Sequence, residues 1–199
     1  AIIANTSPSV VSIEISPDSD VRSDSLVTCV ATGGDLNDGV LVPTYVWSNG
    51  ATTLATTDSL QLDSTLVTVG DALTCTATVT DAEGAIAQDS TSVSIGNTGP
   101  EWAVATSISP GSAVTTSTTL ICSATASDPD GGSIGYAYEW INNSTLATLS
   151  SADSVTLTPS VVSPEDEVQC TVTATDTDGD EITSTASITV DNTAPSLSG

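Results

Sequence analysis

The feature that most constrains the fold of this chain is an ordered set of landmarks that occurs twice. In each half of the sequence, a tryptophan follows a cysteine by 18 residues, and a second cysteine follows the tryptophan. Such ordered self-similarity is typical of a duplicated domain. We therefore expect two copies of one domain. The landmarks are Cys29, Trp47 and Cys75 in the first copy and Cys122, Trp140 and Cys170 in the second.

Short proline-containing elements place the boundaries of these copies. Asn97-Thr98-Gly99-Pro100 repeats Asn5-Thr6-Ser7-Pro8, and Asn192 begins a third copy of the element. The 199 residues are about twice the roughly 100 residues of a common domain. We predict domains at 5–96 and 97–191. Residues 1–4 are then the end of a preceding strand or a complementing segment, although a native N-terminus that happens to be apolar is an alternative. Residues 192–199 are a linker or the start of the next repeat.

Alternating apolar and hydroxylated residues predict that the chain is all-β. Leu73, Cys75, Ala77 and Val79 alternate with threonines, which gives the period of two expected for a strand with one buried face. Gly, Pro, Asn and Asp interrupt such runs at the spacing of turns. The sequence contains three Trp and three Tyr but no Phe and no Met, so each core must be thin.

The repeated cysteine, tryptophan, cysteine pattern resembles that of the immunoglobulin superfamily. The resemblance covers both repeats and implies two tandem Ig-like β-sandwich domains, in which strands B and F are joined by a disulfide and the strand C tryptophan packs on it. Four cysteines allow three pairings, and the B–F pairing is Cys29 with Cys75 and Cys122 with Cys170. A metal or redox role is the rival interpretation, but the chain has no histidine and no CxxC spacing.

One part of that pattern is absent. Antibody-like domains place a tyrosine two residues before the second cysteine, and here these positions are Leu73 and Val168. The resemblance is therefore to Ig-like architecture in general, as in the tandem Ig-like or cadherin-like repeats of microbial surface and filament proteins.

The charge of the chain excludes several classes of partner. There are 25 acidic residues against one basic residue, Arg22, which gives a formal net charge of −24. Nucleic acids and anionic membranes need clustered cations, so neither is an expected partner. There is also no apolar run long enough to cross a bilayer, so we expect no direct membrane insertion of this segment. Multivalent cations are favoured, although an acidic surface can also serve solubility or high salt.

The acidic residues concentrate in turns that alternate oxygen ligands and end near glycine. This spacing suits Ca²⁺, which takes six to eight oxygen ligands. In an Ig sandwich the B–C and F–G loops lie at one end, where the chain enters the domain, so these residues should meet near each linker. Good turn propensity of Asp and Gly is the alternative explanation. The candidate ligands are Asp35, Asn37, Asp38, Asp81 and Glu83 in the first repeat, Asn97, Asp128, Asp130, Asp176, Asp178 and Asp180 for the second, and Asp191 and Asn192 in the last linker.

The linker element Asp191-Asn192-Thr193-Ala194-Pro195 resembles the linkers of cadherins. That resemblance implies that Ca²⁺ stiffens the domain junction. Ala4 and Gly96 replace the aspartate in the first two copies of the element.

The composition also bears on catalysis and modification. Without histidine or lysine, triads based on histidine and Schiff-base chemistry are unavailable, and only a carboxylate pair of the glycosidase kind remains possible. We therefore expect no enzyme. Asn5, Asn142 and Asn143 begin N-glycosylation acceptor patterns, which also arise by chance in chains rich in Ser and Thr.

Together these observations predict an extracellular or cell-surface module, because paired cysteines indicate an oxidising compartment. The expected role is structural, in a filament, stalk or surface-layer array of neighbouring copies or repeats, with Ca²⁺ at the junctions. The alternative is an adhesin or ligand-binding module that recognises a glycan or a partner protein. Trp102 is the main aromatic residue not committed to strand C, so its exposure would favour adhesion.

Overall fold

The structure is a computed structural model, and it describes residues 4–192. Within this range the chain forms fifteen β-strands joined by turns and contains no helix, as the sequence predicted. The chain divides into two compact units, Ala1–Thr98 and Gly99–Gly199, here called domain 1 and domain 2. The predicted flanking segments 1–4 and 192–199 lie outside the described residues except for Ala4 and Asn192.

Domain 1 contains eight strands, which form two antiparallel sheets. One sheet joins strands A, B and E together with a short extra strand, and the other joins strands C′, C, F and G. The strands are β1 (A, Ser9–Ser16), β2 (B, Leu26–Asp35), β3 (Gly39–Leu41), β4 (C, Thr44–Asn49), β5 (C′, Thr52–Ala55), β6 (E, Ser59–Gln61), β7 (F, Ala72–Thr80) and β8 (G, Ile86–Ser94).

Domain 2 repeats this arrangement with seven strands. Strand E pairs with B, B pairs with A, and C′, C, F and G follow in order in the second sheet. The strands are β9 (A, Glu101–Ser109), β10 (B, Thr119–Ser127), β11 (C, Gly135–Asn142), β12 (C′, Ala147–Ser150), β13 (E, Ser154–Thr156), β14 (F, Glu167–Thr175) and β15 (G, Glu181–Thr189).

Two features of the topology go beyond the sequence analysis. The strand between C and E, which is β5 in domain 1 and β12 in domain 2, pairs with strand C. Among the residues that the structure describes, only those of domain 1 form an extra strand, β3, which folds back on the end of β2 through a hairpin that pairs Asp35 with Gly39. The first acidic B–C segment is therefore a hairpin turn.

The core of each domain is built on the predicted disulfide. Cys29 of β2 is bonded to Cys75 of β7, and Cys122 of β10 is bonded to Cys170 of β14. Trp47 lies opposite Cys75 in the register of β4 and β7, is fully buried, and donates its indole N–H to the carbonyl of Thr57 at 3.0 Å. Trp140 repeats this arrangement in domain 2. The predicted fold class and both predicted disulfides are thus confirmed.

A glycine allows strands B and F of domain 1 to pack closely. A Cβ on Gly33 would lie 2.3 Å from Cγ1 of Val79, which is far inside van der Waals contact. The equivalent residues in domain 2, four positions after each cysteine, are Ala126 and Ala174. One domain therefore combines the smallest residue with valine, and the other uses two alanines.

An asparagine and an aspartate secure the E–F turn of each domain, where antibody domains use the tyrosine corner. In domain 2, the amide of the fully buried Asn142 donates to Asp166 Oδ2 at 2.8 Å and to the carbonyl of Val161 at 3.1 Å. In domain 1, Asn49 donates to Asp71 Oδ2 at 2.6 Å. We call each pair the Asn–Asp clamp. It anchors the turn through one asparagine amide, which is fully buried in domain 2 and half-buried in domain 1.

The seam between strands A and G differs between the domains. In domain 2, Thr106 donates its hydroxyl to the carbonyl of Ser184 at 3.0 Å and its backbone N–H to the Ser184 hydroxyl at 3.1 Å. In domain 1 the corresponding region, lined in part by Ile13, Ile15 and Val93, is a cleft of about 420 Å³.

The only basic residue lies in a tight turn before strand B. Arg22 accepts a hydrogen bond at its carbonyl from the backbone N–H of Ser25 at 3.1 Å, and its own N–H donates to the Ser25 hydroxyl at 2.9 Å. Its neighbours Val21 and Ser23 are buried. The backbone around the sole cation is therefore held firmly.

Candidate cation site

The segment that enters domain 1 is bound directly by the acidic turns. The Asn5 amide donates to Asp81 Oδ2 at 2.9 Å, and the Thr6 hydroxyl donates to Asp35 at 3.1 and 3.2 Å and also contacts Asn37 Oδ1. Asn37 in turn donates from its amide to the carbonyl of Ala4 at 3.3 Å. The prediction that the two loops meet the entering segment is confirmed for this domain.

The F–G turn of domain 1 is organised around Asp81. Its Oδ1 accepts the backbone N–H of Ala85 at 2.7 Å and that of Glu83 at 3.1 Å, and only 6% of the residue is exposed. The hydrogen bond from Asn5 is the main cause that lowers the pKa of Asp81, while burial acts in the opposite direction and the backbone donors add to the lowering. This carboxylate is therefore held in its charged form by the turn and by the entering segment.

Three carboxylates come together at this end of domain 1. One oxygen of each of Asp38, Asp81 and Glu83 lies within 4.8 Å of one oxygen of the other two. Asp38 bridges the two loops, because its Oδ2 accepts the backbone N–H of Ala82 at 3.0 Å. Asp38 and Glu83 are exposed, so a cation can reach the group from solvent.

The dimensions of this group fit a calcium ion. Ca²⁺ binds oxygens at about 2.3–2.6 Å, so ligands on opposite sides of the ion are about 5 Å apart. Oxygens that lie within 4.8 Å of one another can therefore contact one ion with little rearrangement. Three carboxylates in close contact also repel one another, and a bound divalent cation removes that repulsion.

The turns of domain 2 are held in a similar way by their first aspartates. Asp176 Oδ1 accepts the backbone N–H groups of Asp178, Gly179 and Asp180 at 2.7 to 3.0 Å. In the B–C turn, Asp128 accepts the N–H of Asp130 at 2.8 Å and that of Gly132 at 3.1 Å. These bonds are the local turn bonds that the alternative explanation requires.

The entering segment also runs beside the F–G turn in domain 2. A Cβ on Gly99 would lie 3.4 Å from Cβ of Asp180. The sequence favours the second repeat as a calcium site, because Glu83 and Ala85 stand where that repeat has Asp178 and Asp180. The three-carboxylate group nevertheless lies in domain 1 and includes Glu83.

The other predicted ligands occupy different positions. Asp35 and Asn37 bind Thr6 and the turn itself. Asn97 is half-buried near the end of domain 1. Asp191 donates its backbone N–H to the carbonyl of Val114 at 2.6 Å after the last strand of domain 2, and it is exposed, as is Asn192. Their role as ligands stays a prediction.

The three asparagines with glycosylation patterns are in different environments. Asn142 is fully buried and its amide nitrogen belongs to the Asn–Asp clamp, so it is out of reach of a transferase in the folded domain. Asn143 is half-buried and donates to Glu167 and Gln169, whereas Asn5 is exposed.

Trp102 is partly buried against the core of its own domain. Its indole N–H donates to the carbonyl of Thr183 on strand G at 3.4 Å. The ring thus contributes to packing and does not provide the exposed aromatic surface that would favour adhesion.

Comparison with known proteins gives architectural likeness only. No protein-family model matches the chain. No curated protein sequence matches it either. Among solved structures, the chain is similar to three N-terminal domains of the bacteriophage RB49 Highly Immunogenic Outer Capsid protein, with 12% identity over 94% of this chain and 71% of that one and a TM-score of 0.35.

Two further structures come from animals and bacteria. Extracellular domains 3–5 of Drosophila OTK are 15% identical over 92% of this chain and 62% of that one, with a TM-score of 0.41. A Ca²⁺-stabilized adhesin that helps an Antarctic bacterium bind ice is 17% identical over 94% of this chain and 49% of that one, with a TM-score of 0.35. At such values the likeness carries no conclusion about function, and our assignment of the fold rests on strand order and the disulfides.

The chain is thus a tandem pair of Ig-like domains, an architecture used by structural and adhesive extracellular proteins. One disulfide in each domain fits an extracellular or secreted setting. In residues 4–192, no helical segment has the length and hydropathy needed to span a bilayer.

Proposed function

We propose that this chain is a non-catalytic structural module of an extracellular filament, stalk or surface-layer array, stiffened by Ca²⁺ where the preceding segment enters a domain. The observation that carries the proposal is the direct hydrogen bonding of Asn5 and Thr6 to the same acidic turns that assemble the three carboxylates. A cation bound there orders the entering segment together with the domain.

The mechanism is electrostatic and mechanical. Without a cation, Asp38, Asp81 and Glu83 repel one another, and the net charge of −24 adds to the repulsion. Ca²⁺ neutralises the group and draws both loops together. Because Asp81 also holds Asn5, fixing this carboxylate fixes the direction in which the chain enters. Repeated along an array, such fixed entries give a stiff fibre.

The disulfides contribute mechanical strength inside each domain. Each bond joins the two sheets of a sandwich, so tension along the chain is resisted by a covalent connection inside every domain. The carboxylates support a non-catalytic role, because Asp81 and Asp176 are engaged by the N–H groups of their own turns.

The test is thermal unfolding and small-angle X-ray scattering of the full chain in excess chelator and in millimolar Ca²⁺. We expect a higher melting temperature in Ca²⁺, because a ligand that binds only the folded state stabilises it by about 2.7 kcal/mol at one hundred times its Kd. The scattering should also indicate a narrower distribution of particle dimensions. Identical melting and scattering under both conditions would refute the calcium role.

A matched pair of variants locates the effect. Asp38→Asn with Glu83→Gln removes two of the three charges and should abolish most of the calcium-dependent rise in the melting temperature of domain 1. Asp18→Asn with Asp58→Asn removes the same charge from exposed positions of the same domain outside the group, and should leave the rise intact. If both pairs reduce the rise equally, calcium acts on overall charge and not at this site.

A further inference from the structure

The outer face of the C–F–G sheet in domain 1 lacks charge, although the chain as a whole carries −24. The strands that form it are β4, β7 and β8, and their outward side chains are mainly Thr and Ser. The only acidic residue in these strands, Asp89, lies opposite the inward-facing Ala77 and so belongs to the other side of the sheet. We call this surface the neutral face.

Domain 2 provides an internal reference for this face. The corresponding strands β11, β14 and β15 each carry one outward glutamate, and these are Glu139, Glu167 and Glu181. All three are exposed.

The strand registers identify the matching positions in domain 1. Glu139 pairs with Thr171 as Val46 pairs with Thr76, and Glu181 pairs with Thr175 as Ile86 pairs with Thr80. Glu167 pairs with Thr189 as Ala72 pairs with Ser94. Each outward glutamate of domain 2 is therefore an apolar residue in domain 1.

We propose that the neutral face is an interaction surface for a second copy of this chain, bound through the same face. This inference rests on the proposed role in an assembly of copies, and it names the surface that joins them side by side. Ile86, which is 63% exposed, lies at the G-strand edge of the face, and Val46 lies near its centre.

The net charge of the chain favours a second copy as the partner that binds the neutral face. Two molecules that each carry −24 repel wherever their carboxylates meet, so they approach most closely where both surfaces are neutral. A cationic partner would gain more from the acidic turns. Glycan-binding surfaces commonly use exposed aromatic rings, and the outward rows of β4, β7 and β8 contain none, because Tyr45 and Trp47 belong to the inward row of β4.

The size of the face predicts a weak contact. With the short strand β5 that adjoins β4, the sheet that carries the neutral face has four strands, spaced about 4.8 Å apart and up to about nine residues long, which cover about 500 Å². Two copies would bury about 1,000 Å², which is near the lower limit for a specific interface. A contact of this size is transient between single molecules, and becomes durable when many copies are arrayed and bind together.

The test is sedimentation of the full chain over a range of concentrations, in chelator and in Ca²⁺, at salt high enough to screen the net charge. We expect reversible dimerisation. Val46→Glu with Ala72→Glu and Ile86→Glu gives domain 1 the charges of domain 2 and should weaken dimerisation at least about tenfold, because like charges would then face each other. Domain 2 already accommodates glutamate at all three positions, so the fold should be retained, as circular dichroism would verify.

The control places the same charge on the opposite sheet. Val11→Glu with Leu26→Glu and Val30→Glu changes residues that are 72%, 58% and 62% exposed and should leave dimerisation within about twofold. A parent chain that stays monomeric throughout, glutamate substitutions on the neutral face without effect, or an equal loss in the control would each overturn the proposal. Dimerisation that is unchanged by chelator, together with melting that Ca²⁺ does not alter, would overturn the calcium role and leave the neutral face standing.

Discussion

Domain 1 and domain 2 share the main features of their interiors and differ more strongly on their surfaces. Both have the B–F disulfide, the buried strand C tryptophan and the Asn–Asp clamp. Within residues 4–192, domain 1 alone has β3, the three-carboxylate group and the neutral face, whereas in domain 2 the outer face of the same sheet is acidic and the A–G seam is joined by Thr106. The disulfide, the tryptophan and the clamp form a frame that both copies share, and the copies differ in the strands and the charges at their surfaces.

The largest expected effect is the loss of stability when a disulfide of the frame is removed, and it should be equal in both domains. The disulfides close loops with sequence separations of 46 and 48 residues. Loops of this size are worth about 4 kcal/mol in the chain-entropy model. Replacing Cys29 and Cys75 by alanine, or Cys122 and Cys170, should therefore destabilise the affected domain by similar amounts in denaturant titrations. If removing the disulfide lowers the stability of only one of the domains, the two disulfides do not contribute equally.

The Asn–Asp clamp should have a smaller effect that differs between the domains. Asn142→Ala removes a fully buried amide that donates to Asp166 and to the carbonyl of Val161, and it should cost about 2 kcal/mol. Asn49→Ala should cost less, because Asn49 is only half-buried and its bond to the carbonyl of Leu66 is 3.4 Å long. Denaturant titration of each variant measures both values. The reverse order would mean that burial does not set the strength of the clamp.

The Asn–Asp clamp also predicts that the stability of each domain depends on pH. The backbone N–H of Thr68 lowers the pKa of Asp71, and the backbone N–H of Ser163 lowers that of Asp166, with Asn49 and Asn142 adding to the effect. A pKa that is lower in the folded state stabilises the fold above about pH 4, and this contribution is lost as the pH falls further. Unfolding titrations from pH 6 to pH 2 should show this loss in the parent chain. The loss should be smaller in the asparagine variants, and parallel curves would contradict the assignment.

The smallest effect concerns the contact between strands B and F. Gly33→Ala should destabilise domain 1 by about 1 kcal/mol, because overpacking against Val79 outweighs the entropic gain of replacing glycine in a strand. Adding Val79→Ala recreates the alanine pair of domain 2. In a double-mutant cycle by denaturant titration, we expect the combined change to cost less than the sum of the two single changes. Additive costs would show that the two side chains do not compete for space.

Much of the frame was predictable because its signals are local and periodic. Alternation around Cys75 identified strand F of the first repeat, and the family pattern identified the disulfide partners. The clamp was missed because Asn49 precedes a glycine, as turn residues do, and Asn142 begins a glycosylation pattern. Only the fold brings each asparagine to its aspartate, more than twenty residues away. Strand C′ was missed because four residues are too few to show a period.

The candidate site was predicted as a set of residues but not as a geometry. The turns that hold Asp38, Asp81 and Glu83 were recognisable from their composition. Which carboxylates converge depends on the hairpin formed by β3, and Val40 and Val42 of this region are so exposed that no burial pattern marks it. The neutral face could not be predicted from the sequence either, because the strand registers are needed to match its positions with the glutamates of domain 2.

The turn around Arg22 also limits where the folded chain can be cut. Trypsin-like proteases cut after lysine or arginine, and this chain offers them the single bond between Arg22 and Ser23. Ser23 is 1% exposed and the turn is closed by two hydrogen bonds through Ser25, so a protease cannot draw this segment into an extended form while the domain is folded. A module of this composition would persist among secreted proteases of that specificity, and its removal would depend on enzymes that cut elsewhere.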